Sequence, residues 1–312
     1  MKVIITGVSG MVGSFFARIY QEANSGCDVY GLDITSPVAG LLPEDKFFKC
    51  NILERDAVMR IFESVRPDIV IHMAAQAYNG ISWDCEYLTH ATNIQGSLNV
   101  LYCAKAIGNT KVLLGCSSAE YGNITPDDCP LIEERPLKPF TPYGVSKAAM
   151  EMLGYQYYLN YDFPVFLPRM FIHVGPGHPP TTAIQNFARQ LAKIKTGQAE
   201  PIIRVGNLTT RRDFIDVRDG AAAMKLLIEK GEPGVPVNIC NGIPYLMSDI
   251  LDMLIVISGT IVKVESDPAL VRKADEPLLL GNCDKIKALG YTPKYTIRQT
   301  LEDVFEDWMH RV

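Results

Sequence analysis

Tyr143-Gly144-Val145-Ser146-Lys147 sets a phenol and an ammonium four residues apart. On a helix the two side chains share one face, a single turn from each other. The positive charge can lower the phenol's pKa, so that it trades a proton with a hydroxyl or a ketone near neutral pH. The string alone is common; its weight comes from Ser117-Ser118, which follows the apolar run 111–116. In a parallel sheet such a pair stands at the carboxyl edge, where ligands bind. At the other end of the chain Gly7, Gly10 and Gly13 recur every three residues directly after Val3–Thr6. Glycine there allows a tight turn, backbone contact with a pyrophosphate and close packing of helix on strand. A helix opening at Met11 and Val12 offers unpaired N–H groups to the phosphates. Asp33, twenty residues after Gly13, can accept both hydroxyls of an adenosine ribose and repels a 2′-phosphate. These residues together point to a nicotinamide dinucleotide, NAD(H) in preference to NADP(H).

The elements around them follow from pattern. Apolar runs at 3–6, 28–33, 69–72, 111–116 and 165–171 alternate with helical periodicity at 11–24, 54–64, 88–107 and 143–161. That alternation predicts an α/β fold with a doubly wound, Rossmann-type parallel sheet. After residue 171 the order is broken by Gly175-Pro176-Gly177 and Pro179-Pro180. Helices are predicted near 183–196, 216–230, 247–258 and 296–310, with strands at 202–205 and 236–240. The expected division is residues 1–171 plus about 216–241 for the dinucleotide, and about 172–215 plus 242–312 as a smaller mixed lobe for the substrate.

Composition narrows the classes. The 312 residues carry a net charge of −5 and are 47% hydrophobic. No basic run marks a nucleic-acid or anionic-membrane surface. The eight cysteines are scattered without a CxxC pair, and the five histidines lack metal-ligand spacing. Gly7 interrupts the first apolar stretch, and the longest one, around 253–264, is shorter than a bilayer span. The expectation is a cytoplasmic enzyme with reduced thiols and no metal.

The chain resembles the extended short-chain dehydrogenase/reductase family over nearly its whole length. The likeness lies in the glycine loop, His72-Met73-Ala74-Ala75-Gln76, Thr92-Asn93, Ser117-Ser118-Ala119-Glu120-Tyr121-Gly122, the Tyr143/Lys147 pair and Arg169-Met170-Phe171. The resemblance implies that Tyr143 is the acid/base and that Lys147 holds the nicotinamide ribose and tunes Tyr143. It makes Ser117 the partner of the reacting sugar oxygen, and Asn51, Ile52, Ala74, Ala75, Gln76 and Asn93 further cofactor contacts. It also implies a homodimer packed through helices near 88–107 and 143–160.

Gly206-Asn207-Leu208, Arg211-Arg212-Asp213-Phe214 and the stretch from Arg272 through Asp275 to Gly281 resemble the branch acting on GDP-mannose derivatives. Substrate contacts are therefore expected from Ser118, Arg169, His173, Asn207, Arg212, Arg272 and Asp275. Arginine suits a diphosphate because its planar fork gives paired, charge-assisted hydrogen bonds. Dehydratases of this family carry a glutamate two places after the serine or threonine. That place is Ala119, whose methyl group moves no proton, and strand alternation aims Glu120 elsewhere. The family's asparagine after Arg-x-Phe is Ile172, which leaves the contact to His173. Reduction of the C4 ketone of a GDP-linked 4-keto-6-deoxyhexose ranks first and NAD-dependent 4-epimerisation second, with a non-catalytic dinucleotide sensor or scaffold as the reading from another class.

Overall fold

The computed structural model describes residues 1–22, 26–271 and 276–312. The first part of the chain runs β1 (Lys2–Thr6), α1 (Met11–Glu22), β2 (Asp28–Asp33), β3 (Phe47–Lys49), α2 (Arg55–Val65), β4 (Ile69–His72), α3 (Glu86–His90), α4 (Gly96–Ile107), β5 (Lys111–Leu114), β6 (Cys116–Ser117), α5 (Pro142–Tyr161) and β7 (Val165–Met170). It continues with β8 (Ile172–Val174), α6 (Ala183–Lys195), β9 (Ile202–Val205), β10 (Arg211–Asp216), α7 (Val217–Lys230), β11 (Pro236–Ile239), β12 (Pro244–Leu246), α8 (Met247–Ser258), β13 (Lys263–Ser266), β14 (Leu278–Leu279), α9 (Asp284–Ala288) and α10 (Ile297–Arg311).

The large sheet is ordered β11-β7-β5-β4-β1-β2-β3, with β6 extending the pairing to β7. All its pairs are parallel. Its strands read as unbroken apolar runs because both faces are covered. Val3 and Ile5 join Phe16, Tyr20, Met224 and Leu227 in a core under α1 and α7. Ile4 points the other way, to Phe62, Leu101 and Met150 under α2, α4 and α5. Each strand thus serves two cores by alternation. The strand order reverses between β1 and β4, which opens a crevice at their carboxyl ends.

A second sheet, β12-β10-β14 with β8 on β10, and a two-stranded pair β13-β9 complete the fold with α6, α8 and α10. Their core holds Phe187, Leu191, Leu254, Leu301 and Trp308. The predicted strand at 111–116 is divided by Gly115, and the predicted helix at 88–107 contains a π turn at Ala91–Gln95. The last two residues of the helix predicted over 11–24 lie outside the described residues. β3, β8, β10, β12 and β13 lacked a strand pattern in the sequence. β10 is the instructive one: Arg212 to Asp216 are all buried although three of the five are ionisable. All eight cysteines are free thiols, and no described helix is long and apolar enough to cross a membrane.

Candidate active site

The register of the sheet brings the sequence motifs together. Thr6 pairs with Leu32 on one side and with His72 on the other, so Gly7 leaves β1 between Asp33 and the 73–76 segment. Gly7 has φ +73°, a left-handed conformation that glycine adopts without strain, and its N–H donates to Leu32 O at 2.8 Å. A Cβ on Gly7 would lie 2.6 Å from Ala74 N, and one on Gly13 would lie 2.1 Å from Gly7 O. Both glycines are there for close approach. Gly10 N–H donates to Gly7 O at 3.1 Å, and Met11 and Val12 start α1 with its N–H groups facing out of the turn. The cradle a side chain would fill is what a pyrophosphate requires, so these residues fit a dinucleotide.

Asp33 is half-buried beside this turn. Its carboxylate accepts Ser9 N–H at 3.0 Å, Thr35 N–H at 3.0 Å and Thr35 Oγ–H at 3.1 Å. Asn51 lies next to it and lines, with Ile34, Ala57 and Ile61, a cavity of about 430 Å³. Ile52 is buried, and packs where a side chain on Gly96 would have to go. The Ala74–Gln76 segment is half-buried, with Ala74 N–H on Thr6 Oγ at 3.3 Å.

Asn93 stands between this segment and the helix of Tyr143. It is fully buried. Its Oδ1 accepts Gln76 N–H at 2.8 Å, and its Nδ2 donates to Gln76 O at 3.0 Å and to Ser146 Oγ at 2.9 Å. Ser146 Oγ–H in turn donates to Tyr143 O at 2.7 Å. With both donors engaged, Asn93 braces the 74–76 segment against the helix of Tyr143.

That helix, α5, starts with Thr141 Oγ accepting Gly144 N–H at 3.0 Å and Pro142 in its first turn. A Cβ on Gly144 would lie 2.6 Å from Ala119 O. The missing side chain lets α5 sit against the 118–120 turn, and this brings Tyr143 to Ser117. The Ser117 side chain lies beside the Tyr143 phenol. Lys147 is buried, donates to Gly115 O at 2.7 Å, and stands 5.8 Å from the centre of the Tyr143 ring. The three residues singled out for chemistry therefore meet. The expected electrostatics differ, however. Burial pushes the Tyr143 phenol up to about 12, and the nearby Ser117 hydroxyl is the main influence in the other direction. Burial also pulls Lys147 below its ordinary value. The buried phenol is held in its acid form.

The substrate residues expected from the sequence are scattered. Ser118 is buried in the turn after Ser117. Arg169 is excluded by its own bonds: Nε and Nη2 grip Glu151 at 2.8 and 2.6 Å, and Nη1 donates to Glu133 O at 2.8 Å. Buried behind Ser117, it has no face left for a diphosphate. His173 Nδ1 lies 2.8 Å from Phe171 O, and a Cβ on Gly220 would be 2.1 Å from its Nε2. Burial takes its pKa down to about 4, so this is a neutral imidazole packed on α7 rather than a replacement for the asparagine at Ile172. Asn207 caps an exposed turn through Thr209. Arg212 donates to Glu276 O at 2.6 Å and to Arg211 O at 2.9 Å, tying β10 to the segment before β14. Arg272 and Asp275 lie outside the described residues. Glu120, set aside on the strand pattern, and Glu151, not singled out in the sequence, are both fully buried. A signal existed: Glu151 follows Lys147 by one helical turn, a charged residue on the face that packs inward.

The GDP-mannose 4,6 dehydratase family model matches residues 4–304. GDP-6-deoxy-D-mannose reductase of Pseudomonas aeruginosa is 31% identical, over 100% of this chain and 98% of that protein. The solved structure of RMD from Pseudomonas aeruginosa complexed with NADPH is similar with a TM-score of 0.88 and 30% identity, covering 100% of this chain and 99% of that one. UDP-glucose 4-epimerase from Thermotoga maritima with UDP-glucose gives a TM-score of 0.90 at 27% identity, with 100% and 99% covered. Matched along almost all of its length, the chain belongs to the GDP-mannose 4,6 dehydratase family, within the extended short-chain dehydrogenase/reductases.

Proposed function

We propose that this protein is an NAD(P)(H)-dependent nucleotide-sugar reductase that converts the C4 ketone of a GDP-linked 4-keto-6-deoxyhexose to an alcohol. The observation that carries the reading is the Tyr143 phenol, held in its acid form and set beside Ser117 and Lys147. Relatives named as a GDP-6-deoxy-D-mannose reductase and a GDP-6-deoxy-D-talose 4-dehydrogenase support it. A nicotinamide dinucleotide, held by the Gly7–Gly13 cradle and Asp33, supplies the hydride when bound. Ser117 orients the ketone oxygen, and Tyr143 delivers the proton that makes it a hydroxyl. One of the three Lys147 N–H bonds is engaged by Gly115 O, which leaves the others for a ribose hydroxyl. Dehydration is disfavoured because position 119 offers only a methyl group and Glu120 is turned into the core. The second lobe, about 172–215 and 242–312, faces the nucleotide.

Incubation with GDP-4-keto-6-deoxymannose is expected to consume reduced cofactor in step with alcohol product. Isomer formation without net loss of reduced-cofactor absorbance would instead indicate the 4-epimerase.

NAD(H) is the preferred cofactor, because a 2′-phosphate would approach the Asp33 carboxylate. The expected advantage in kcat/KM for NADH over NADPH is roughly ten- to a hundredfold, the scale of one like-charge contact near a protein surface. A preference for NADPH, which accompanies the Pseudomonas aeruginosa structure, would reverse this assignment.

The protein works as a homodimer. Tyr87, at 88% exposure, with Leu88 and Tyr102 leaves an apolar face on α3–α4, and Val145, Met152, Tyr155 and Leu159 leave another on α5. Sedimentation equilibrium at micromolar protein is expected to give the mass of two chains, and a charged residue at Leu159 to give one.

A further inference from the structure

Behind the Ser117–Tyr143 pair lies a carboxyl group that the proposed reaction does not use. Glu120 is 0% exposed. Its Oε1 accepts Ser117 N–H at 2.7 Å, closing a capping box in which Ser117 Oγ accepts Ala119 N–H at 3.2 Å. Its Oε2 has no hydrogen-bond partner and stands 3.8 Å from Arg169 Nε. Arg169 has turned its fork to Glu151. Oxygens of Glu120 and Glu151 and the sulfur of Cys116 all lie within 4.8 Å of one another. Two carboxyl groups thus share one guanidinium in a dry interior. A second negative charge there has no counter-charge, and a buried carboxyl in that position takes up a proton instead.

We propose that Glu120 is the positioning residue of Ser117: its carboxyl, holding the Ser117 N–H through one oxygen and set with the other against the Glu151 carboxylate, bridges the two and so aims the hydroxyl that faces Tyr143. The groups facing it are Cys116 from β6, Tyr143, Lys147 and Glu151 from α5, and Arg169 from β7. Burial and the Glu151 charge push Glu120 well above the ordinary carboxylate range, against the pull of Ser117 N–H and Arg169. Cys116 is raised by burial and stays a thiol. A cation would be a poor occupant of this cluster, since Arg169 already supplies the positive charge. The pairing with Glu151 gives Ser117 a fixed backbone on one side while Tyr143 engages its side chain on the other.

The inference rests on the reductase reading for its kinetic test. Glu120→Leu keeps the volume and removes the acceptor. It is expected to lower kcat on GDP-4-keto-6-deoxymannose by about 10- to 100-fold with both KM values within about threefold. Glu120→Gln can still accept from Ser117 and donate to Glu151, and is expected to retain turnover within about threefold of the wild type. Glu120→Asp, too short to reach both partners, should fall like the leucine variant and stands in for it if that variant does not fold. Combining Glu120→Leu with Ser117→Ala should cost no more than Ser117→Ala alone, because both changes remove one interaction. Full kcat in Glu120→Leu, an equal loss in Glu120→Gln, or losses that multiply would overturn the proposal. If the wild type turns over no ketosugar, the reductase reading fails and amide hydrogen exchange at Ser117 decides: fast in Glu120→Leu and slow in wild type and Glu120→Gln supports the bridge, and equal rates in all three refute it.

Discussion

Phenylalanine at position 143 is expected to lower kcat by about 10²–10⁴-fold, the range for loss of a positioned general acid. The substitution removes one oxygen and little else. The ring remains in its place near Lys147 Nζ, and Tyr143 N–H still donates to Ser82 Oγ at 3.3 Å. The Asn93–Ser146 brace is attached to the backbone carbonyl of residue 143 and survives unchanged. Dinucleotide affinity should therefore stay within a few-fold. A phenol held at about 12 gives up no proton spontaneously at neutral pH, so it acts as a donor to the oxygen being reduced. Single-turnover kinetics with NADH bound would show the loss in the chemical step. Retained turnover with normal cofactor affinity would remove Tyr143 from the reaction altogether.

Arg169→Met should be the most damaging single change to stability, at about 3–5 kcal/mol, the usual loss when one partner of a buried ion pair is removed. Arg169 is 4% exposed and Glu151 is 0%. The guanidinium also lies 5.0 Å from the Tyr121 ring, whose hydroxyl donates to Asn238 Oδ1 at 2.7 Å. Without the cation, Glu151 faces Glu120 with no positive charge against either. The denaturant midpoint is expected to fall without a change in m-value. Replacing both members, as Arg169→Met with Glu151→Leu, should recover part of the loss because no lone buried charge is left. A substrate-binding arginine would behave oppositely, raising KM for the nucleotide sugar in a protein of unchanged stability.

The sequence was most informative where one residue type answers one local demand. The glycines before α1 and the apolar runs of β1, β2, β4 and β5 could be read directly, because close approach and double-sided burial each leave few alternatives. Tyr143, Lys147 and Ser117 were identifiable as a set, since helical spacing and the sheet's carboxyl edge both follow from pattern. What the sequence hid was pairing between ionisable groups far apart in the chain. Arg169 looked like a ligand for phosphate because its partner Glu151 sits on another element. The bracing bonds of Asn93 were hidden because they reach residues 17 and 53 positions away. β10 was not among the predicted strands for the same reason: buried Asp213 accepts N–H groups of Asn241, Gly242 and Gly281, so a strand rich in charge is satisfied by distant backbone. The phenol's acidity was misjudged because spacing places a cation near Tyr143 without revealing how dry the surroundings are.

The amide of Asn93 has a consequence for how this protein can change. It gives and takes at once, so no residue of similar size replaces it: aspartate keeps the acceptor and forfeits both donors, and leucine forfeits everything. The same few atoms hold the wall of the coenzyme crevice and the helix that delivers the proton. Mutational drift at this position therefore disturbs both halves of the chemistry together.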